Sequence, residues 1–215
     1  SGNAGYAMTG VAKTADDYPT FQITDGKAGK CLSLVTRSTG FFGQIAGMPI
    51  AAGNLFIGSF DVNNAMSNPL KATKFGLPFR HVPTYLAGYY KYKAGDQFTE
   101  GGKPVNGKRD ICDIYAIMYE TSESVPTLDG TNAFTSPNLI STARINNAKE
   151  TNEWTYFKLP FTTLPGKFID KEKLMDGKYN IAIVFTSSLE GDHFNGAIGS
   201  TLLIDEAELI YRSEN

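Results

Sequence analysis

Leu86-Ala87-Gly88-Tyr89-Tyr90-Lys91-Tyr92-Lys93 sorts itself with a period of two. Leu86, Gly88, Tyr90 and Tyr92 form an apolar row, and Ala87, Tyr89, Lys91 and Lys93 alternate with them. A helix repeats every 3.6 residues and would scatter both rows, whereas an extended strand separates them. The same period recurs in Phe21–Asp25, Lys30–Arg37, Asn54–Asp61, Ile111–Glu120, Leu139–Asn146, Trp154–Phe161, Lys178–Ser187 and Thr201–Arg212. Turn signals fall between these runs, among them Asp25-Gly26, Asn68-Pro69, Gly95-Asp96, Asn106-Gly107, Asp129-Gly130, Asp176-Gly177 and Asn195-Gly196. Only Asp170–Met175 reads as a helix, stopped near Gly177. Nine strands joined by long irregular connections predict an all-β fold, a two-sheet β-sandwich of jelly-roll type.

Composition agrees with that reading. The 215 residues include 14 Phe, 11 Tyr, 22 Gly and 10 Pro, a mixture suited to strands and turns. One domain is the economical division: residues 1–20, small and polar, form a lead-in expected to be partly disordered, and 21–215 form the folded unit. A net charge of −2 supplies no global positive field for nucleic acid. No apolar run reaches the roughly 20 residues of a membrane helix. The Ser1-Gly2 start carries neither a charged nor an apolar leader, so an export signal is expected to have been removed if one existed.

Two Cys are too few for a disulfide framework. Cys31 shares a row with Ser33 and Val35, and Cys112 with Ile114, Ala116 and Met118, so both read as free interior thiols, with a disulfide between them the alternative if the protein is exported.

Most enzyme signatures fail. Gly102-Lys103-Pro104-Val105-Asn106-Gly107-Lys108 has the spacing of a phosphate-binding loop, but Arg109 follows where Ser or Thr should bind magnesium, and a strand follows instead of a helix. There is no Gly-x-Ser-x-Gly elbow, and two His, His81 and His193, exclude a three-histidine zinc site. Paired carboxylates remain open, with Asp61, Asp96, Glu100, Asp110, Asp113, Glu190 and Asp192 near loops. Two acids in one deep cleft, one of them shielded from water, would favour hydrolysis. A shallow aromatic groove would favour binding.

Three segments offer ligand contacts. Tyr89, and Trp154 with Tyr156 and Lys158, fall on the polar rows of their strands, where aromatic rings can stack on sugars. Asp192 and His193 lie in the polar loop Glu190–Gly196, and Arg109 sits beside a strand start. In the last strand, alternation places Leu203, Asp205, Ala207, Leu209 and Tyr211 on one face, opposite a face with two acids, which sends Asp205 inward. A buried carboxylate needs either a structural calcium or hydrogen-bond donors, and one β-bulge would reverse the parity.

The segments FRHVPTYLAGYYKYKAGD (79–96), RDICDIYAIMYE (109–120), EWTYFKLPF (153–161) and GDHFNGAIGSTLLIDEAELIY (191–211) together resemble the family called the putative carbohydrate metabolism domain. DGKAGKCLSLVT (25–36) and AAGNLFIGSFD (51–61) extend the resemblance from about Phe21 to Arg212. It implies a jelly roll similar to carbohydrate-binding modules, some of which hold calcium at an Asp in the final strand; Asp205 matches that pattern. It also implies an exported protein, a periplasmic or outer-membrane surface lipoprotein of Bacteroides-type gut bacteria, with an N-terminal immunoglobulin-like domain in the full-length chain. The expected function is a non-catalytic, cell-surface module that binds polysaccharide or oligosaccharide through Tyr89, Arg109, Trp154, Asp192 and His193. A glycoside hydrolase using a carboxylate pair and a structural or adhesive surface domain are the alternatives. The resemblance supplies no catalytic residues.

Overall fold

The computed structural model describes residues 1–65 and 67–212, so residues 213–215 of the expected folded unit lie outside the described residues. Ten strands build two main sheets: β1 (Thr20–Ile23), β2 (Cys31–Val35), β3 (Asn54–Phe56), β4 (Val82–Lys93), β5 (Asp113–Glu120), β6 (Leu139–Arg144), β7 (Thr151–Pro160), β8 (Thr162–Thr163), β9 (Tyr179–Thr186) and β10 (Thr201–Arg212). One sheet runs β1-β2-β10-β4-β7 and the other β8-β6-β5-β9-β3, with Leu77–Pro78 added as a sixth strand beside β9. All pairings are antiparallel. The chain alternates between layers, so that β10 ends between β2 and β4, and β9 between β3 and β5. That interleaving is the doubled Greek key of a jelly roll. Among the described residues, no helix is long and apolar enough to cross a membrane.

The apolar rows meet between the sheets. Leu86, Tyr90 and Tyr92 of β4, Phe157 of β7, and Leu202 and Ile204 of β10 pack with Ile114, Ala116, Ala143 and Phe185 of the facing sheet. Gly88 belongs to the same row because a Cβ there would lie 2.9 Å from the Phe157 ring.

The last strand departs from strict alternation. Asp205 pairs with Tyr89 and Glu208 with Ala87, so one extra residue is taken up on β10, and Glu206 there has φ 49°. This is a β-bulge, and it splits the strand's faces. Before it, Leu202 and Ile204 face the inter-sheet core, which puts Leu203 and Asp205 on the outer face. After it, Leu209 lies opposite the core residue Leu86. Asp205 is therefore buried on the outside of its sheet rather than between the sheets. Cys31, paired with Ile23, shares that outer side and is buried there, while Cys112 is in the inter-sheet core; both are free thiols.

A second core covers the outer face of the other sheet. β5 is buried along nearly its whole length, on both faces. Tyr115, Ile117 and Tyr119 point outward from it and pack with Ala182, Val184, Phe75, Leu128 and Ala133. The covering layer comes from the long connections that lack period-two patterning, including the short helices Gly40–Ile45 and Pro69–Ala72. The N-terminal lead-in joins this layer. Its helix Asn3–Ala7 buries Tyr6, whose hydroxyl donates to the Ser38 carbonyl at 2.8 Å, and Gly2 N–H donates to Asn54 Oδ1 at 2.9 Å.

Candidate functional site

Between the outer face of the β8-β6-β5-β9-β3 sheet and its covering layer lies a recess of about 450 Å³, within the roughly 300–1,000 Å³ of small-molecule sites. Tyr115, Val184 and Phe56 form part of its sheet wall, and Ile50, Ala72 and Phe75 come from the covering layer. Phe42, Phe134 and Phe194 add aromatic surface. Polar groups gather where the strands begin and end: Asp113 starts β5, Arg144 ends β6, and Thr186 ends β9 opposite Asp113.

Asp113 and Arg144 form the charged centre of the recess. The Arg144 guanidinium donates from Nε and Nη2 to Asp113 Oδ2 at 3.0 and 2.7 Å. The Asp113 side chain is 5% exposed and that of Arg144 41%. Burial pushes the Asp113 carboxyl above the ordinary carboxylate range, Arg144 draws it back down, and the charge of Asp192 adds a further upward push. The guanidinium also lies over the rings of Phe134 and Tyr115, 4.4 and 5.6 Å from their centroids. Two aromatic faces and a carboxylate thus fix one side chain at the opening.

Asp192 enters from the turn Gly191–His193, with His193 Nδ1 2.8 Å from Asp192 Oδ1. Three features hold this turn in place. A Cβ on Gly191 would lie 2.4 Å from the Ala52 Cβ, so the turn sits flush against the covering layer. Phe194 closes the turn with φ 58°, a left-handed conformation costly for a bulky side chain and most often kept at functional sites. Finally, Asp110 is buried beneath the turn's flanks. Its Oδ2 accepts from Ser188 Oγ at 2.6 Å, Ser200 Oγ at 2.7 Å and Ala197 N–H at 2.8 Å, and its Oδ1 from Ile111 N–H at 3.0 Å. Lys108 braces the same turn through Glu190, at 2.7 Å, and also holds Glu100. The Gly102–Lys108 segment is therefore a hairpin loop, pairing Lys103–Pro104 with Phe98–Glu100, and its lysine serves ion pairs.

The other expected contacts lie elsewhere. Tyr89 and Trp154 belong to the opposite side of the sandwich, on the outer face of the β1-β2-β10-β4-β7 sheet. Tyr89 packs beside Tyr156, ring centroids 5.1 Å apart, with Lys27 Nζ 4.3 Å from its centroid; Lys91 Nζ lies 4.9 Å from that of Trp154. One ammonium group thus sits over one face of each of these two rings. Arg109 is held by Glu150 through two contacts of 2.6 Å. The structure brings together only Asp192 and His193 of the expected set, and adds Asp113, Arg144 and Tyr115.

Asp205 lies under the loop after β1. Its Oδ2 accepts from Ala28 N–H at 2.9 Å and its Oδ1 from Glu206 N–H at 2.8 Å. Calcium takes six to eight oxygen ligands, and no group of three or more His, Cys, Asp or Glu that could hold a metal occurs among the described residues. The residues around Asp205 form an amide cradle, with one backbone N–H on each carboxylate oxygen.

A family model described as "Putative carbohydrate metabolism domain" matches residues 1–210. The chain belongs to this family. Two solved structures similar to this chain come from Bacteroides species. One, from Bacteroides thetaiotaomicron and described as a "putative glycoside hydrolase", is 89% identical with a TM-score of 0.98; the alignment covers 99% of this chain and 62% of that one. The other, from Bacteroides vulgatus and described in the same words, is 50% identical with a TM-score of 0.94, covering 99% of this chain and 85% of that one. The chain thus spans less than two thirds of the first neighbour. Among curated proteins there is no match.

Proposed function

We propose that this carbohydrate metabolism domain is a glycan-binding module and that the recess is its sugar site. The supporting observation is the convergence of Asp192, which His193 braces, and the Asp113–Arg144 pair with Tyr115, Phe42, Phe134 and Phe194 around one opening. A sugar has hydroxyls at its edge and apolar faces on its ring. Carboxylate oxygens accept from the hydroxyls, guanidinium N–H groups donate to them, and aromatic rings pack on the faces. The proposed setting is the exported surface lipoprotein that the resemblance implies, meeting glycan outside the cell.

Binding without hydrolysis is favoured because the Arg144 guanidinium neutralises Asp113 and donates to both its oxygens, to Oδ1 from Nε at 3.2 Å as well as to Oδ2, which a nucleophile or proton donor would need free. One observation supports hydrolysis as a second reading: Asp113 and Asp192 line one recess, and burial raises the Asp113 carboxyl, the unequal pair from which two-carboxylate chemistry starts.

Native affinity electrophoresis in gels containing plant, host or microbial polysaccharides, followed by staining for degradation, tests both. The wild type is expected to be retarded without clearing in at least one gel. Asp192→Ala is expected to bind about 10- to 100-fold more weakly there, the equivalent of a hydrogen bond to a charged group, and Trp154→Ala to bind as the wild type does. Retardation that survives Asp192→Ala, or none in any gel, would overturn the proposal; a cleared zone would turn it to hydrolysis.

A further inference from the structure

We infer that the recess recognises a sugar carrying an apolar substituent, an aryl or alkyl group, with the sugar at its polar end and the substituent along its apolar end. The inference rests on the recess being the sugar site and names what else occupies it.

Polarity changes along the sheet wall. In register, Asp113 faces Thr186 at the strand ends; one step in, Tyr115 lies between Arg144 and Val184, and Val184 is paired with Phe56. Val184 and Phe56 are apolar, Phe75 packs on them, and Ile50 and Ala72 add buried apolar lining from the covering layer. A bare sugar filling this volume would press its hydroxyls against Phe56, Phe75 and Val184, and buried hydroxyls without partners cost roughly 1–3 kcal/mol each. The sugar therefore stays with Asp192 and Arg144, and the rest of the recess fits a group with no hydroxyls.

The rim carries the same signature. Phe42 is 74%, Met8 58% and Phe134 39% exposed, and all three line the recess. Large apolar side chains left in water beside polar groups mark a binding surface. Here they give the recess an apolar rim beside its charged pair.

The test is isothermal titration of the wild-type chain with methyl, 4-nitrophenyl and octyl glycosides of glucose, galactose, mannose and xylose. For at least one sugar, the 4-nitrophenyl or the octyl glycoside is expected to bind about tenfold or more tightly than the methyl glycoside, from burial of the added apolar area. A preference for 4-nitrophenyl identifies an aryl substituent, and one for octyl an alkyl chain. Ala133→Phe, which narrows the apolar wall, is expected to remove that gain and leave methyl glycoside binding unchanged; the wild-type comparison stands even if this variant does not fold. Equal affinity for methyl and substituted glycosides would overturn the inference and leave the sugar site intact. If 4-nitrophenol or octanol alone binds as tightly as its glycosides, the sugar reading fails and the inference with it. No binding by any glycoside overturns both.

Discussion

Asp110→Ala is expected to cost the fold about 4 kcal/mol, the range reached when a buried hydrogen-bond network is broken. The carboxylate is 2% exposed and accepts from two serine hydroxyls and two backbone N–H groups. Truncation would leave all four donors facing a hole. Because Ser188 and Ala197 flank the turn that carries Asp192, the same change is expected to weaken glycan binding in the fraction that still folds. Asp110→Asn keeps one acceptor oxygen but turns an NH₂ group toward donors, so it is expected to fall between alanine and wild type. Urea unfolding followed by tryptophan fluorescence measures both; a loss below about 1 kcal/mol for Asp110→Ala would show that water replaces the carboxylate.

The second large effect concerns Arg144. Arg144→Ala leaves Asp113 buried without its cation, and removing one partner of a buried pair costs roughly 3–5 kcal/mol. Arg144 is itself partly exposed, so about 3 kcal/mol is expected near pH 8. The pH dependence has a definite sign. Burial already holds the Asp113 carboxyl above its unfolded value, and losing Arg144 raises it further. A carboxyl with a raised folded pKa contributes stability that is fully present below its unfolded pKa and lost as pH rises through the folded one. The deficit of Arg144→Ala relative to wild type is therefore expected to shrink as pH falls, and Asp113→Asn in the same chain to restore much of it. A deficit that stays constant with pH, or grows in acid, would show that Asp113 is not the group left stranded.

Much of the fold could be read from alternation. Thr201–Arg212 has the same bounds in sequence and structure, and Asp170 caps the helix Lys171–Met175 by accepting from Lys173 N–H at 3.0 Å. Strands with one wet face leave a period of two, and that signal survives without knowledge of their partners. The parity of β10 did not survive, because Glu206 takes up an extra residue at a bulge that composition does not mark. The covering layer was equally opaque: segments such as Gly40–Ile45 carry no period-two pattern and no side-chain cap to mark them.

The site was only half legible. Asp192 and His193 stand out as polar residues in a glycine-bracketed turn. Asp113 and Arg144 are 31 positions apart, and only the pairing of β5 with β6 brings them together. One signal was available: Ile111–Glu120 has apolar residues in both rows, so the strand had to be covered on both faces, and Asp113 within it had to have a partner. Tyr89 and Trp154 were correctly placed on an outward face, yet the lysines that cover their rings come partly from outside their own strands, as Lys27 does.

The most direct test of the central claim is a map of amide chemical shifts on the isotope-labelled chain, titrated with a saccharide that retards it in gels. The expected result is a set of perturbed amides around Tyr115, Arg144 and Gly191–Phe194, with those of Tyr89, Trp154 and Tyr156 unmoved. Perturbations centred on Tyr89, Trp154 and Tyr156 instead would place the sugar on the opposite face of the sandwich and contradict the account.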